Sequence, residues 1–301
     1  MNKVILLVIT PILLSACGAN TPEYHALNSI ASEDARLASD NRVAEITGLQ
    51  GPEAVRYDAA LDVYFIANFV GSSREVDANG FIIRVNAESG AVDSEFITGT
   101  KDFPLHAPRG MFITGDTLWV ADAQGVHGFS KTSGEQLTFI DLQTYEPGFL
   151  NDVASDGRGS NFVTDTGGKR IYQFQHDGGH SEAANDIGNP NGITFNSRTG
   201  SFLIAPWTSG DPIRAWWPSL DSVSVYASPA GSSIDGIEVH NDRLIYAQQS
   251  DSTVRIYSDG EIVATIKTEG KPADIAVDTR RNRVAVPYIA LDRVDIWGLP
   301  D

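Results

Sequence analysis

Oxygen-bearing side chains recur at one position of a repeating unit in this chain. Four segments carry them in the same register, at Glu53, Asn151, Asn191 and Asp235. Two further segments keep the frame but place Arg109 and Ala273 at that position. Carboxylate and amide oxygens that converge on one point are ligands for a hard cation such as calcium. The repeat therefore predicts a ring of ligands, with one residue contributed by each unit.

The spacing of this frame indicates the fold class. The first and last aligned positions, 53 and 273, are five repeats apart, which gives a mean of 44 residues per repeat. Short segments rich in β-branched and aromatic residues follow each frame, and none shows sustained helical periodicity. A period of about 40–45 residues is typical of β-propellers. We therefore predict an all-β chain that forms a six-bladed β-propeller. A long β-sandwich is the alternative, but it gives no reason for the frame to recur.

The sequence also predicts two details of the propeller. The longest step between frames, from position 53 to 109, is expected to hold an insertion at Ser72–Gly80. Segments Val43–Thr47 and Arg293–Trp297 are expected to share one blade and so close the ring. Because the innermost strand of each blade lines the central channel, the frame residues are expected at the channel mouth.

A tight turn is the competing explanation for two of the frames. Asn191-Gly192 and Asp235-Gly236 are dipeptides that favour tight hairpin turns. Both are followed at once by strand-like residues, however. Glu53 and Asn151 share the register without a glycine beside them, which favours the ring.

Composition narrows the range of partners. The chain has 301 residues, 42% of them hydrophobic, and 22 Lys and Arg against 39 Asp and Glu give a net charge of −17. Nucleic acid is an unlikely partner for so acidic a protein, because phosphate contacts require clustered positive charge. Cys17 is the single cysteine, so no intrachain disulfide can form.

The amino-terminal segment predicts export and lipidation. A basic start and an apolar run of about 11 residues, Val4–Leu14, fit the core of a signal peptide and are too short to span a membrane. Leu14–Cys17 resembles the bacterial lipoprotein box, with Cys17 as the lipidated residue. The prediction is a signal peptide at 1–16, a lipidated tether at 17–40 and the propeller at 41–301. The expected location is the cell envelope, on the outer membrane facing the periplasm, with the lipid as the only membrane contact.

The frame segments resemble those of the senescence-marker-protein/gluconolactonase family and its paraoxonase relatives, over about residues 43–298. The resemblance implies that Glu53, Asn191 and Asp235 bind one calcium ion. It also implies that Asn151 lies beside the metal and the substrate, and we expect Asn151 as a fourth ligand. Family members hydrolyse lactones or related esters, which implies that Asp235 is both metal ligand and general base.

Two basic side chains near the second frame are candidate substrate contacts. Arg109 is the one cation in the ring and could bind a substrate carboxylate, or it could form a salt bridge to a neighbouring Asp. His106, three residues earlier, is the best-placed histidine, as an alternative base or substrate contact. The competing explanation is that it is an ordinary loop residue.

Two functions fit these predictions. The first is a calcium-dependent hydrolase of a small lactone or ester, although another divalent metal would suit the same oxygens. The alternative is a non-catalytic propeller, a binding scaffold with a structural calcium, because the fold alone carries no function. A lyase on a similar propeller is a third possibility.

Overall fold

The structure is a computed structural model that describes residues 23–26, 41–228 and 232–300, without the side chains of 23–26 and Glu95. The predicted signal peptide and Cys17 lie outside the described residues. Within the described ranges, no helix is long and apolar enough to cross a membrane.

Antiparallel strands, numbered in chain order, form six sheets in the described part of the chain. Blade 1 comprises β3 (Pro52–Asp58), β4 (Val63–Asn68), β5 (Phe81–Asn86) and β6 (Val92–Thr98). Blade 2 comprises β7 (Met111–Thr114), β8 (Thr117–Ala121), β9 (Gly125–Ser130) and β10 (Gln136–Asp141). Blade 3 comprises β11 (Leu150–Ser155), β12 (Asn161–Asp165), β13 (Arg170–Phe174) and β14 (His180–Asn185).

The remaining blades continue the pattern. Blade 4 comprises β15 (Pro190–Asn196), β16 (Ser201–Pro206), β17 (Ile213–Trp217) and β18 (Ser222–Ala227). Blade 5 comprises β19 (Ile234–His240), β20 (Arg243–Gln248), β21 (Thr253–Ser258) and β22 (Glu261–Lys267). Blade 6 comprises β23 (Ala276–Asp278), β24 (Arg283–Tyr288), β25 (Arg293–Gly298), β2 (Arg42–Thr47) and β1 (Glu23–Ala26). The predicted all-β, six-bladed β-propeller is confirmed.

Blade 6 closes the ring by combining both ends of the propeller. Strand β2 pairs antiparallel with β25, with Ile46 opposite Val294. This is the shared blade that the sequence predicts. Strand β1 pairs with β2 on the outside, so part of the segment expected to be a tether forms a fifth strand.

Apolar side chains from adjacent blades pack together and form the core. One cluster joins Phe65 of blade 1 to Met111 and Val120 of blade 2. Between blades 2 and 3, the rings of Trp119 and Phe174 meet edge to face with centroids 5.0 Å apart. Burying a large apolar side chain contributes about 1.5–3 kcal/mol, so the interfaces between blades hold the six sheets in a fixed arrangement.

The first strand of each blade lies on the central channel, where neighbouring inner strands contact one another around the ring. Backbone hydrogen bonds join some of them directly. Asp274 N donates to Glu53 O at 2.9 Å, and Val55 N donates to Asp274 O at 3.1 Å. Gly110 N donates to Asn151 O at 3.0 Å. The backbone at the channel mouth is therefore rigidly positioned.

Candidate metal and active site

The four predicted ligands are the second residues of inner strands β3, β11, β15 and β19. In each of these strands the pairing register shifts across that residue. A β-bulge of this kind bends the strand and changes the direction of a side chain, and bulges are common beside active sites. Each frame therefore contains a local irregularity that can direct its polar side chain into the channel mouth.

The glycines after two frame residues allow neighbouring inner strands to approach closely. A Cβ on Gly192 would lie 2.1 Å from the Asp235 carbonyl oxygen, and one on Gly236 would lie 2.3 Å from Ile275 N. Both glycines lie within strands. The tight-turn explanation of the Asn-Gly and Asp-Gly pairs is therefore wrong, and close backbone approach is what requires the glycine.

Three of the four frame side chains form a hydrogen-bonded chain. Asn151 Nδ2 donates to Asn191 Oδ1. Asn191 Nδ2 donates to Asp235 Oδ1 at 2.9 Å. All three residues are buried, as is Glu53. The structure therefore brings the predicted ligands of blades 3, 4 and 5 together at one site, and Glu53 lines the same cavity.

Two side chains that the sequence analysis missed complete this network. Thr166 Oγ1 donates to Asn191 Oδ1 at 2.9 Å, and Gln249 Nε2 donates to Asp235 Oδ2 at 2.6 Å. Thr166 directly follows β12, and Gln249 directly follows β20. They occupy equivalent places in their blades, so an alignment of the ends of the second strands is the signal that could have found them.

Two oxygens of the ring have no hydrogen-bond partner in the part of the chain that the structure describes. Glu53 Oε2 and Asn151 Oδ1 are buried and accept no hydrogen bond from the described residues. Burying a polar oxygen without a partner costs about 1–3 kcal/mol, and more for a charged group. A cation or a hydrogen-bond donor beside these two oxygens would therefore stabilise the site.

The carboxylates of the ring are also electrostatically strained. Burial raises the pKa of Glu53 well above its usual value, and the nearby charge of Asp235 raises it further. Burial raises the pKa of Asp235 to about 6, against hydrogen bonds from Gln249 and Asn191 that lower it. A positive charge between the two carboxylates would favour their ionised forms.

The donor set fits a hard divalent cation. Two carboxylates and two amides supply only oxygen, which is the ligand type that calcium takes, with water completing six to eight positions. Among the described residues there is no group of three or more His, Cys, Asp or Glu arranged for a metal. The fit therefore depends on the amide oxygens of Asn151 and Asn191 together with Glu53 and Asp235. Because Asn191 Oδ1 accepts hydrogen bonds from Asn151 and Thr166, it would exchange one of them for the ion.

The ring forms the floor of a cavity of about 480 Å³. A second ring of residues, each directly after the second strand of its blade, contributes to the wall: Phe69, Thr166, Trp207, Gln249 and Ile289. Phe149, Asn189, Ser73 and Arg74 line it as well. A volume of this size is typical of a small-molecule site, with apolar walls and a few convergent polar groups.

The structure does not bring Arg109 to the cavity wall. Its guanidinium is buried, with Nη1 donating to Leu150 O at 2.7 Å and Nη2 donating to Ser73 O. The guanidinium carbon lies 4.0 Å from the centroid of the Phe149 ring. Burial lowers the pKa of Arg109 to about 10, which the charge of Glu53 opposes. Arg109 thus binds backbone carbonyl groups around the site. It neither lines the cavity, where it could bind a substrate carboxylate, nor forms a salt bridge to an Asp side chain among the described residues.

His106 likewise lies outside the cavity lining. Its Nδ1 accepts a hydrogen bond of 3.0 Å from Ala78 N, and its backbone N–H donates to Asp122 Oδ2 at 3.3 Å. His106 is buried and holds the end of the loop between β4 and β5. The ordinary loop explanation therefore accounts for its contacts.

A second polar layer contacts the ring from within the channel. Arg56 Nη1 donates to Glu238 Oε1 at 2.5 Å, and its Nε donates to Met111 O at 2.7 Å. Burial raises the pKa of Asp152 to about 7, although the charge of Arg56 lowers it. Asp274 Oδ2 is buried and has no partner among the described residues. This layer surrounds the ring with the carboxyl groups of Asp152, Glu238 and Asp274 and with the partly buried guanidinium of Arg56.

Comparisons with known proteins agree with this fold. No protein-family model and no curated protein matches the chain. It is similar to the solved structure of a gluconolactonase from Xanthomonas campestris, at 18% identity and a TM-score of 0.66, covering 86% of this chain and 92% of that one. It is also similar to the structure of a candidate gluconolactonase, at 15% identity and a TM-score of 0.63, covering 83% of this chain and 89% of that one. For a streptogramin B lyase the identity is 13% and the TM-score 0.58, covering 84% of this chain and 94% of that one.

At these identities the likeness concerns the fold. The lactonase and lyase structures cover most of the chain, so they match the whole propeller. The chain therefore shares its six-bladed propeller fold with solved gluconolactonase structures, as the resemblance of its short motifs predicts.

Proposed function

We propose that this protein is a calcium-dependent hydrolase of a small lactone or ester, with the metal held at the channel mouth by Glu53, Asn151, Asn191 and Asp235. The observation that carries the proposal is a pair of buried oxygens, Glu53 Oε2 and Asn151 Oδ1, that have no hydrogen-bond partner among the described residues and belong to an all-oxygen ring lining a cavity. Buried polar oxygens usually have a hydrogen-bond partner, and an ion bound beside these two atoms would supply the partner that the described residues do not. Another divalent cation that accepts oxygen ligands is compatible with the same ring.

The bound ion would polarise the carbonyl oxygen of the substrate and stabilise the charge that develops there. Asp235 takes the proton of the attacking water, and the acyl carbon–oxygen bond breaks as the proton passes to the leaving oxygen. Gln249, which donates to Asp235 Oδ2, fixes the orientation of that carboxylate.

Asn151 has the geometry of a substrate contact. Its Nδ2 donates to Asn191, while its Oδ1 is buried with no partner within residues 41–228 and 232–300, and the side chain lines the cavity. An amide in this position can contact both the ion and a polar group of the substrate. Arg109 and His106 support this site through the backbone and are not proposed as direct substrate contacts.

The experiment is an assay of a panel of small lactones and aryl esters, with calcium or with chelator, on the wild type and Asp235→Ala. Asp102→Ala, which removes an exposed acid, is the matched control. Activity that disappears with chelator and with Asp235→Ala, but persists in the control, supports the hydrolase. No turnover of any substrate, together with a calcium-dependent rise in melting temperature, favours the alternative of a binding scaffold with a structural calcium.

We also propose that the propeller is tethered in the bacterial cell envelope through a lipid on Cys17. The support is the sequence alone, an apolar run followed by Leu14–Cys17. Cys17→Ser should move the protein from the membrane fraction to the soluble fraction. An unchanged distribution would contradict the lipid anchor.

A further inference from the structure

The cavity has one basic side chain in a strongly acidic protein. Of the cavity-lining residues in the described part of the chain, Arg74 alone is basic. The chain as a whole carries a net charge of −17, and the cavity floor holds the carboxylates of Glu53 and Asp235. Such a field disfavours anionic ligands in general. The guanidinium of Arg74 is therefore a local positive charge in an acidic cavity, and it can bind an anionic group of a ligand.

The protein holds Arg74 in place through several contacts. Its Nη1 donates to Gly148 O at 3.0 Å, and its guanidinium carbon lies 4.6 Å from the centroid of the Phe149 ring. The preceding residue, Ser73, accepts a hydrogen bond from buried Arg109 through its backbone oxygen. The side chain of Arg74 is nonetheless exposed. Arg74 is thus positioned in advance, and a guanidinium offers further N–H donors beyond the one bonded to Gly148.

The loop that carries Arg74 has the features of a functional segment. It connects β4 to β5 through residues 69–80 and contains the insertion that the sequence predicts at Ser72–Gly80. Val70 adopts φ 52°, a conformation that is rare for a β-branched residue. The far end of the loop is fixed by hydrogen bonds from Ala78 N to His106 and from Gly80 N to Leu105 O. Backbone strain of this kind is retained where the surrounding structure enforces it.

Aromatic side chains form much of the remaining wall. Phe69, Phe149 and Trp207 line the cavity, and Trp207 is 39% exposed at its edge. Aromatic rings offer apolar area to a ligand at low entropic cost, and a guanidinium beside them pairs with a carboxylate. The wall therefore combines a carboxylate-binding group with apolar surface, and the carboxylates of Glu53 and Asp235 in the same cavity repel an anion.

We infer that the substrate class is a lactone or ester that carries a free carboxylate and an apolar or aromatic group, with the carboxylate bound by Arg74. The inference rests on the proposed hydrolase function for its catalytic part. Binding of the carboxylate at Arg74 directs the ester carbonyl away from the loop and toward the ring, because the floor carboxylates disfavour the reverse orientation. Arg74 is thus a specificity-determining residue.

The first test measures binding, without turnover, by calorimetry of the full chain. The probes are phenylacetate and its neutral amide, phenylacetamide, each with calcium and with chelator. We expect the wild type to prefer phenylacetate, and Arg74→Gln to weaken phenylacetate about tenfold, as for loss of one charged hydrogen bond. Phenylacetamide binding should change less than about twofold. The control Arg158→Gln removes an exposed guanidinium away from the cavity and should leave both affinities unchanged.

The second test uses a matched pair of esters, 4-nitrophenyl acetate and the mono-4-nitrophenyl ester of succinic acid. Arg74→Gln should raise KM for the succinyl ester about tenfold and leave kcat and the neutral ester little changed, and Arg74→Lys should restore part of the preference. Equal effects on both esters, or a carboxylate preference that survives in Arg74→Gln, would overturn the inference while the hydrolase stands. If neither ester reacts but phenylacetate binding depends on Arg74, the anion site stands and the hydrolase proposal fails.

Discussion

Replacement of Glu53 by Gln separates two effects of the ring on protein stability. Without metal the buried carboxylate lowers stability, and with metal it raises stability by binding the ion. Glu53 is 4% exposed, and its Oε2 has no partner in the described part of the chain. Burial, and then the charge of Asp235, raise the pKa of Glu53 and so disfavour its ionisation. The change to Gln keeps the shape of the side chain and removes the buried charge. In chelator, Glu53→Gln should therefore melt at the same temperature as the wild type or higher.

With calcium, the wild type should have the higher melting temperature of the two proteins. At a calcium concentration 100 times Kd, binding adds about 2.7 kcal/mol to the free energy of unfolding. For a domain of this size each kcal/mol corresponds to about 2–4 °C, so the wild type should gain about 5–11 °C. Loss of one of the two anionic ligands should weaken binding at least about tenfold, or about 1.4 kcal/mol. The shift for Glu53→Gln should accordingly be smaller by about 3–6 °C.

Thermal unfolding followed by circular dichroism, with a calcium titration and a chelator blank, measures both effects. Glu88→Gln is the control, because it removes an equal charge from an exposed turn between β5 and β6. The reasoning is refuted if Glu53→Gln keeps the full calcium shift. It is also refuted if the variant is less stable than the wild type in chelator, since Glu53 would then stabilise the ring without an ion.

Three further predictions follow from other contacts. Arg281 binds Asp62 through both carboxylate oxygens, at 2.8 and 2.6 Å, and its hydrogen bonds lower the pKa of Asp62 to about 2. Because this pKa lies below the usual value of about 3.9, the stabilisation is present at neutral pH and is lost as the pH falls from about 4 to 2. Asp62→Asn should therefore cost up to about 1 kcal/mol at pH 7 and nothing near pH 2, by urea unfolding; a constant difference would contradict the ion pair. Gly192→Ala should destabilise by about 1–3 kcal/mol and reduce the calcium shift, because its Cβ would meet the Asp235 carbonyl, and an unchanged melting temperature would show that the strands need no close approach. Gln249→Ala should lower calcium affinity or hydrolysis about 10–100-fold through the lost bond to Asp235; wild-type values for both would exclude an orienting role.

The sequence predicts the ring because the same frame recurs along the chain and carries an oxygen-bearing side chain at the same position in four of its copies. Each ligand follows from a frame that recurs in register, and the bulges of β3, β11, β15 and β19 repeat with it. The six-bladed fold and its closing blade are predicted for the same reason, since a repeating unit fixes strand order. These features depend on local pattern, which a single sequence contains.

The wall of the cavity could not be predicted in this way. The residues that directly follow the second strands share a position, but their types range from Phe69 to Thr166 to Gln249, so no chemistry recurs. Arg109 and His106 each have a hydrogen-bond partner in the loop of residues 69–80, Ser73 O and Ala78 N respectively. Because the path of that loop depends on tertiary contacts, position in the frame alone suggested that Arg109 faces the substrate, whereas it binds the loop that carries Arg74.

The central claim is that one divalent cation in this ring is required for hydrolysis. The most direct measurement is a calcium titration of metal-free protein in which bound calcium, by calorimetry, and the hydrolysis rate of a reactive lactone or aryl ester are followed in parallel. We predict that occupancy and rate rise together and saturate at one equivalent, and that both responses are lost in Asp235→Ala. A rate that is independent of calcium occupancy, or the absence of any calcium binding, would contradict the account.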